Sequence, residues 1–523
     1  MLQSLIKVAI IVLSFKIVWM EMLSKCIGHR NVCTPTFKKE SPKLTQYEFL
    51  EKNDLQCCKN ILVSDHNIHF IQKGLFSKFV ELVNLSLHNL PLEGEAIKNS
   101  LGKRLNLTHL RLENVGLNNT LLESLLPSLP KTLKLLSLMN NSLTYFSTNF
   151  ISNTTVKTLD LSQNQNITMM LDKEALSLTH LDLSHSNCEW KTSQESKPVC
   201  KIPSLLELNF AGNRLNLSTF DNRNDENCFW YLISLDLSLC DLTEPITNES
   251  FSFFPNLTSL NLDGISNIEQ FPSFQNTERL TKLSLNDVKY FVNPTLKNMN
   301  IFKNLHKLRR LEMQYWELSL WGETELTVLF SPMIKTLEHL DLKSTGISTI
   351  PLVIKEMDEL TKLILTSNNI SSWSSISENT NKNLKALFME WNLIETVDPH
   401  SIPKRVFDLS LEGNPFLCTC ELMPYKNWVK ERKLTKIIKD WASKYRCSKP
   451  HQWAGKTLDK FRPKITDCQE FNAYVITAIV LCFLMVIIVI ATNIYSRRRK
   501  QNILKKFQYT HDSSEKRKLL SSS

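Results

Sequence analysis

Glycine is scarce, with 11 in 523 residues. So few leave little scope for the glycine-rich loops that cradle nucleotide phosphates. The sequence also lacks a P-loop, an H-E-x-x-H pair, a G-x-G-x-x-G between a strand and a helix, and a recognisable nucleophile–base pair. Each absence removes a class of chemistry, so the chain is expected not to be an enzyme, and it implies no cofactor and no metal. Disorder is excluded for the chain as a whole, because 42% of it is hydrophobic and 22% charged, enough for a large core. The net charge of +10 points first to an acidic partner such as nucleic acid or anionic lipid.

The ends define a compartment. Residues 8–15, VAIIVLSF, follow Lys7 and form the apolar run of a secretory signal peptide expected over 1–24, although Lys16 interrupts it and no A-x-A site appears. Ala473–Ile494 is uncharged over 22 residues, long enough to cross a bilayer. Arg497, Arg498, Arg499 and Lys500 follow it, which places the C-terminus in the cytosol. A single-pass type I membrane protein is expected, at the plasma membrane or in endosomes. Of 13 cysteines, all but Cys482 precede the membrane segment, where disulfides are the default. Sequons there make Asn106, Asn118, Asn140, Asn153, Asn166, Asn216, Asn248, Asn256 and Asn369 candidate glycosylation sites. A tenth, Asn84, lies between inward leucines and is set aside.

The pattern L-x-x-L-x-L-x-x-N-x-L fills most of the rest. It starts at Leu82, Leu107, Leu133, Val156, Leu178, Leu205, Leu232, Leu257, Leu280, Leu308, Leu337, Leu360, Leu384 and Val406, a mean spacing of about 25 residues, the leucine-rich-repeat period. Each short strand turns its leucines inward and cannot cover them without neighbours. An α/β solenoid is expected, a leucine-rich-repeat horseshoe over 59–416 with at least 14 repeats. Cysteine-rich caps are expected over 25–58 and 417–469, and one transmembrane helix over 473–494. At the ninth position, Asn141, Asn164, Asn213, Asn368, Asn392 and Asn414 can bond backbone groups of adjacent turns as an internal ladder. NPFLCTCEL (Asn414–Leu422), followed by Cys447 and Cys468, has the spacing of a C-terminal cap. CIGHRNVC, with Cys26 and Cys33, looks like an N-terminal cap loop. Cys57 and Cys58 have no assigned partners. Cys188 with Cys200 and Cys228 with Cys240 could close loops, although Cys240 stands at a ladder position, where a free buried thiol also fits.

Over roughly residues 26–494 the chain resembles the Toll-like receptor ectodomains, most closely the lipopeptide-sensing subfamily. NPFLCTCEL and YRCSKPHQWAGKTL (Tyr445–Leu458) carry the resemblance most specifically. It implies cap disulfides Cys418–Cys447 and Cys420–Cys468; a zinc site, the other reading of four cysteines, is disfavoured by secretion and spacing. Four consecutive repeats lack the ladder Asn and carry Ile265, Val288, Trp316 and Thr345, which should relax the local curvature. In the resembled subfamily such a centre opens a lipid-accepting pocket on the convex side. Phe291, Leu318, Leu320, Trp321, Leu326, Leu329 and Phe330 would line it here; alternatively they simply fill the convex core. Toll-like receptors signal through a folded cytoplasmic domain, for which the 29 residues after Ile494 are too short. Tyr495–Ser523 is polar and basic and is expected to be a disordered tail. Within it Glu515, Leu519 and Leu520 match an acidic dileucine sorting pattern.

Two functions follow from different classes. One is a receptor-like protein of innate immunity, a co-receptor or decoy that binds a microbial lipid, lipopeptide or protein, or a full-length Toll-like receptor. The other is an adhesion or ligand-presenting protein that binds another protein on its concave face, with Tyr315, Phe388 and Trp391 as aromatic anchors. His180 and His339 read as solvent-facing. The charge divides in a way that removes the nucleic-acid hint. The tail 495–523 carries +7 and the cap 418–468 carries +8, while residues 1–417 carry −4 and Glu470 the remaining −1.

Overall fold

The computed structural model describes residues 32–33, 43–44, 58–64, 68–92, 95–101, 106–192, 200–220, 228–247, 249–266, 274–288, 300–372, 376–377, 379–432, 441–464 and 473–519. The signal peptide expected over 1–24 lies outside them. One 16-stranded parallel sheet runs through the described residues from Val32–Cys33 to Asp408–Ser410. Each of the fourteen repeat starts is followed, two residues on, by one of its strands, from Asn84–His88 to Asp408–Ser410. The register stacks equivalent leucines, so that Leu260, Leu283, Leu311, Leu340, Leu363 and Leu387 stand opposite one another in turn. All six are buried. A strand three to five residues long cannot bury both faces alone, and stacking makes a continuous core of these leucines. The sheet passes unbroken through the four repeats that lack the ladder Asn.

Two further strands precede the fourteen. Asn60–Ser64 pairs with Val32–Cys33, and Cys58, fully buried, stands two residues before it, where each later repeat has Leu or Val. Cys58 therefore begins the array. Cys33 is bonded to Cys58 across 5.8 Å of Cα separation, which corrects the expected Cys26–Cys33 loop. The parallel pairing of Val32–Cys33 with Asn60–Ser64 carries the two sulfurs together. Cys26 and Cys57 lie outside the described residues. Within the array the bond joins Cys200 to Cys228, so neither Cys188/Cys200 nor Cys228/Cys240 closes a loop, and Cys188 and Cys240 are free and buried. Burial pushes their thiols up to about 12 and about 11, which keeps them protonated and unreactive.

The turn after each strand has one recurring requirement. The eighth position of all fourteen repeats, from Asn89 to Gly413, has a positive φ between 52° and 74°. Only Gly212, Gly264 and Gly413 of these are glycine. The remainder include Asn and Ser but also Leu239, Tyr315 and Trp391, for which the left-handed region costs about 1–2 kcal/mol each.

At the C-terminal end Cys418 is bonded to Cys447; Cys420 is also disulfide-bonded, and Cys468 lies outside the described residues. Tyr425, from the helix Met423–Glu431, packs its ring against Trp441, which in turn meets Tyr445 and through it Phe416. Tyr445 Oη accepts the Leu411 N–H at 2.9 Å, locking this cap to the last repeat. The final helix runs from Ala473 to Leu519 over 47 residues, and part of it is long and apolar enough to cross a membrane. The expected disordered tail is helical as far as Leu519. No glycine or proline follows Ala473, and RRRKQNILKK is built of good helix formers, so nothing in the chain stops the helix where the apolar stretch ends. Glu515 and Leu519 fall in its last turns, and Leu520 lies outside the described residues.

Candidate protein-binding face

The concave sheet is polar and cross-linked by side chains. In its acidic lane, one turn of the solenoid bonds to the next. Ser137 donates to Glu113 and Asp160, Asn209 to Asp182 at 2.9 Å, and Asn261 to Asp236 at 3.0 Å. Near the centre Glu312 takes bonds from Arg310, Ser284 and Asn286. Burial alone would raise its carboxyl, but those donors outweigh it and hold it below the usual range. Beside it burial raises Asp341. His339 is mostly buried rather than solvent-facing, with Nε2 4.0 Å from Glu312 and unbonded among the described residues. Burial, then the charges of Arg310 and Lys362, push it down to about 4. His180 is more open, 3.6 Å from Glu207. Two shallow depressions of about 300 Å³ lie on this face, lined mainly by such polar residues.

The three expected anchors sit differently. Trp391 is 62% exposed and Tyr315 54%, both on the eighth-position rim. Phe388 is half-buried on the sheet under Lys362, 5.3 Å from its ring centroid. Trp391 is held in place from below. A Cβ on Gly413 would lie 2.6 Å from its ring, so the indole rests directly on the glycine of the next repeat. The same arrangement recurs at Leu239 over Gly264 and His185 over Gly212. Each rim glycine is thus a shelf for a large side chain one turn earlier. A bulky residue in a strained backbone region, flat against a neighbour yet open to solvent, is an ordered surface for contact.

The expected convex lining is packed. Leu318, Trp321, Leu326, Leu329 and Phe330 are buried in the hydrophobic core, the last three from the helix Glu323–Phe330. Leu320 is 68% exposed, and Phe291 lies outside the described residues. The ladder gap is narrower than four repeats. Ladder amides donate to a carbonyl one turn back, as Asn213 does to Leu183 and Asn368 to Leu342. Trp316 does the same through its indole, to Leu285 at 2.6 Å, Ser186 to Leu161 and the Cys240 thiol to Phe210. Thr345 joins Asn368 at 3.1 Å. Ile265 and Val288 are apolar.

Among the sequons, Asn106, Asn118, Asn140, Asn153, Asn166 and Asn369 are exposed and Asn216 and Asn256 partly so; Asn248 lies outside the described residues. Asn118 caps the helix Asn119–Leu125 by accepting the Leu121 N–H. Asn256 donates its amide to Trp230 O at 2.7 Å. Trp230, Tyr231 and Ile233 are exposed together on the edge leading into the strand Ser234–Asp236, a patch that is not among the residues expected from the sequence. Its signal was present, since no other repeat places two aromatic residues and an isoleucine at the equivalent positions.

No protein-family model matches the chain. It is 29% identical over 203 residues to Toll-like receptor 10 of Bos taurus, covering 36% of this chain and 24% of that protein. It is 24% identical over 213 residues to Toll-like receptor 2 of Homo sapiens, covering 39% and 25%. Toll-like receptor 6 of Dasypus novemcinctus is 24% identical over 155 residues, 29% and 19%. The match thus spans a quarter or less of these curated relatives. Among solved structures, an internalin of Listeria monocytogenes aligns with 70% of this chain and 88% of its own at 17% identity and a TM-score of 0.39. Human 5T4 aligns with 52% and 91% at 18% identity and 0.35. The chain is a leucine-rich-repeat solenoid, similar over part of its length to Toll-like receptors.

Proposed function

We propose that the protein is a membrane-anchored receptor-like protein that binds another protein along its concave face and the eighth-position rim of its last repeats. The observation that carries this is Trp391, exposed, backbone-strained and seated on Gly413. Preorganised aromatics of this kind dominate protein interfaces. The packing of Leu318, Trp321, Leu326, Leu329 and Phe330 in the core supports a protein partner over a lipid one. A Toll-like receptor is the partner to test first, as the relatives suggest, which would give the protein an innate-immune role at the plasma membrane or in endosomes. Adhesion remains the reading if the partner belongs to another class.

The test is capture of proteins and lipids by the full chain from cell membranes, followed by mass spectrometry. The proposal expects a protein whose recovery falls at least tenfold with Trp391→Ala. Recovery of lipid alone, or capture that ignores Trp391, overturns it.

A further inference from the structure

The edge formed by the residues leading into each strand changes character along the solenoid. Over the two residues before each repeat start and the first three of the repeat, the eight repeats from Leu82 to Leu257 sum to +1. The six from Leu280 to Val406 sum to +6, with eleven bases against five acids. In register on successive strands stand Lys282, Arg310, His339 and Lys362, flanked by Lys307, Arg309, Lys335, Lys382, Lys385 and Arg405.

Two of these bases are internally neutralised, Arg309 by Glu338 and Arg310 by Glu312. Lys282, Lys307, Lys335, Lys382 and Lys385 are exposed and have no ion-pair partner among the described residues. The cap prolongs the edge, because Arg432 donates to Lys404 O at 3.1 Å and so brings the end of the helix Met423–Glu431 alongside. The sequons of this half of the chain reduce to Asn369, which follows its strand rather than leading into it.

We infer that this basic edge binds a linear sulfated polysaccharide. The charges are strung over six turns of the solenoid rather than gathered in a pocket, as an extended polyanion requires. They are mostly lysines, point charges without the bidentate fork that selects one phosphate or carboxylate. Phe407 is the one exposed Phe, Trp or Tyr in these positions of the six repeats, whereas single-stranded nucleic acid is held by rows of stacking rings. The bases Arg497–Lys500 after the apolar segment put the solenoid on the extracellular side, where sulfated glycans are the polyanions at hand. Lys282, Arg310 and Lys362 stand on the strands of the concave face and are shared with the protein-binding surface. Lys335, Lys382 and Lys385 lie outside the strands, so variants of these three test the glycan proposal separately from the Trp391 one.

The test is retention of the full chain, in detergent, on immobilised heparin in a salt gradient. Competitors are soluble heparin, desulfated heparin, hyaluronan and a single-stranded RNA homopolymer at equal charge. The variant Lys335→Glu/Lys382→Glu/Lys385→Glu should bind heparin at least tenfold more weakly. A matched variant, Lys131→Glu/Lys134→Glu/Lys157→Glu, should elute with the unmodified protein, and both should keep its proteolysis pattern. Equal losses in both variants, competition by hyaluronan or RNA as effective as heparin's, or no retention at ~0.15 M salt, the ionic strength that screens beyond about 8 Å, would overturn the proposal.

Discussion

The indole Nε1 of Trp316 lies 2.6 Å from the carbonyl oxygen of Leu285, the bond that an asparagine amide makes at six other turns of the ladder. A large aromatic side chain thus does two things in the middle of the solenoid, filling the core and satisfying a backbone acceptor one repeat back. Trp316→Phe keeps most of the ring and removes the donor. It should cost about 1–2 kcal/mol, the usual penalty for a buried group left without its partner. Hydrogen exchange should show the loss, faster at the amides of residues 285–288 than in the N-terminal repeats; unchanged protection there would mean the bond contributes nothing.

The shelf beneath Trp391 makes a second prediction. Gly413 has φ +74° and no space for a Cβ, so Gly413→Ala should cost about 1–2 kcal/mol in backbone strain and lift the indole. Partner capture should fall about as far as with Trp391→Ala. Gly455, at φ +76° with no atom within 4 Å of an added Cβ, is the matched control, and Gly455→Ala should leave capture unchanged.

His339 makes stability depend on pH. Its folded value of about 4 lies below the ordinary 6.5, so the unfolded chain binds more protons below pH 6.5. Stability is full above that value and falls as the pH drops from 6.5 towards 4. The loss between pH 7 and 5 should be about 1–2 kcal/mol by linkage. Thermal unfolding across that range should show it, and His339→Gln should flatten the profile.

Differential alkylation tests the cysteine assignment. Before denaturation Cys188 and Cys240 should resist the reagent; after denaturation, without reductant, they should label. Peptide mapping of the same sample should recover Cys33 with Cys58, Cys200 with Cys228 and Cys418 with Cys447. A Cys26–Cys33 peptide would contradict the described fold at its N-terminal end.

Sequence periodicity located the strand that each of the fourteen repeats gives to the long sheet, because Leu136, Leu311 or Leu409 can be buried only if its neighbours repeat it. It did not show the second strands, such as Thr168–Leu171 between Tyr145–Ser147 and Glu189–Thr192. The left-handed position was not legible, since with so few glycines the turn is made by residues as different as Asn89, His185 and Trp391. The disulfides Cys33–Cys58 and Cys200–Cys228 were not legible either, because spacing alone does not say which turns of a solenoid stack. Trp316 was read as a gap because a pattern counts residue types, whereas the ladder needs only an N–H at the right place. Trp391 was singled out as an exposed ring; what holds it, Gly413, is a neighbour in space that the sequence puts 22 residues away.

The claim that this rim meets another protein is tested most directly by a photo-crosslinking amino acid placed at position 391, with position 320 on the exposed convex side as the comparison. Irradiation of intact cells should yield a protein adduct from position 391 and none from position 320. Adducts confined to lipid, or a protein adduct from position 320 alone, would contradict the account.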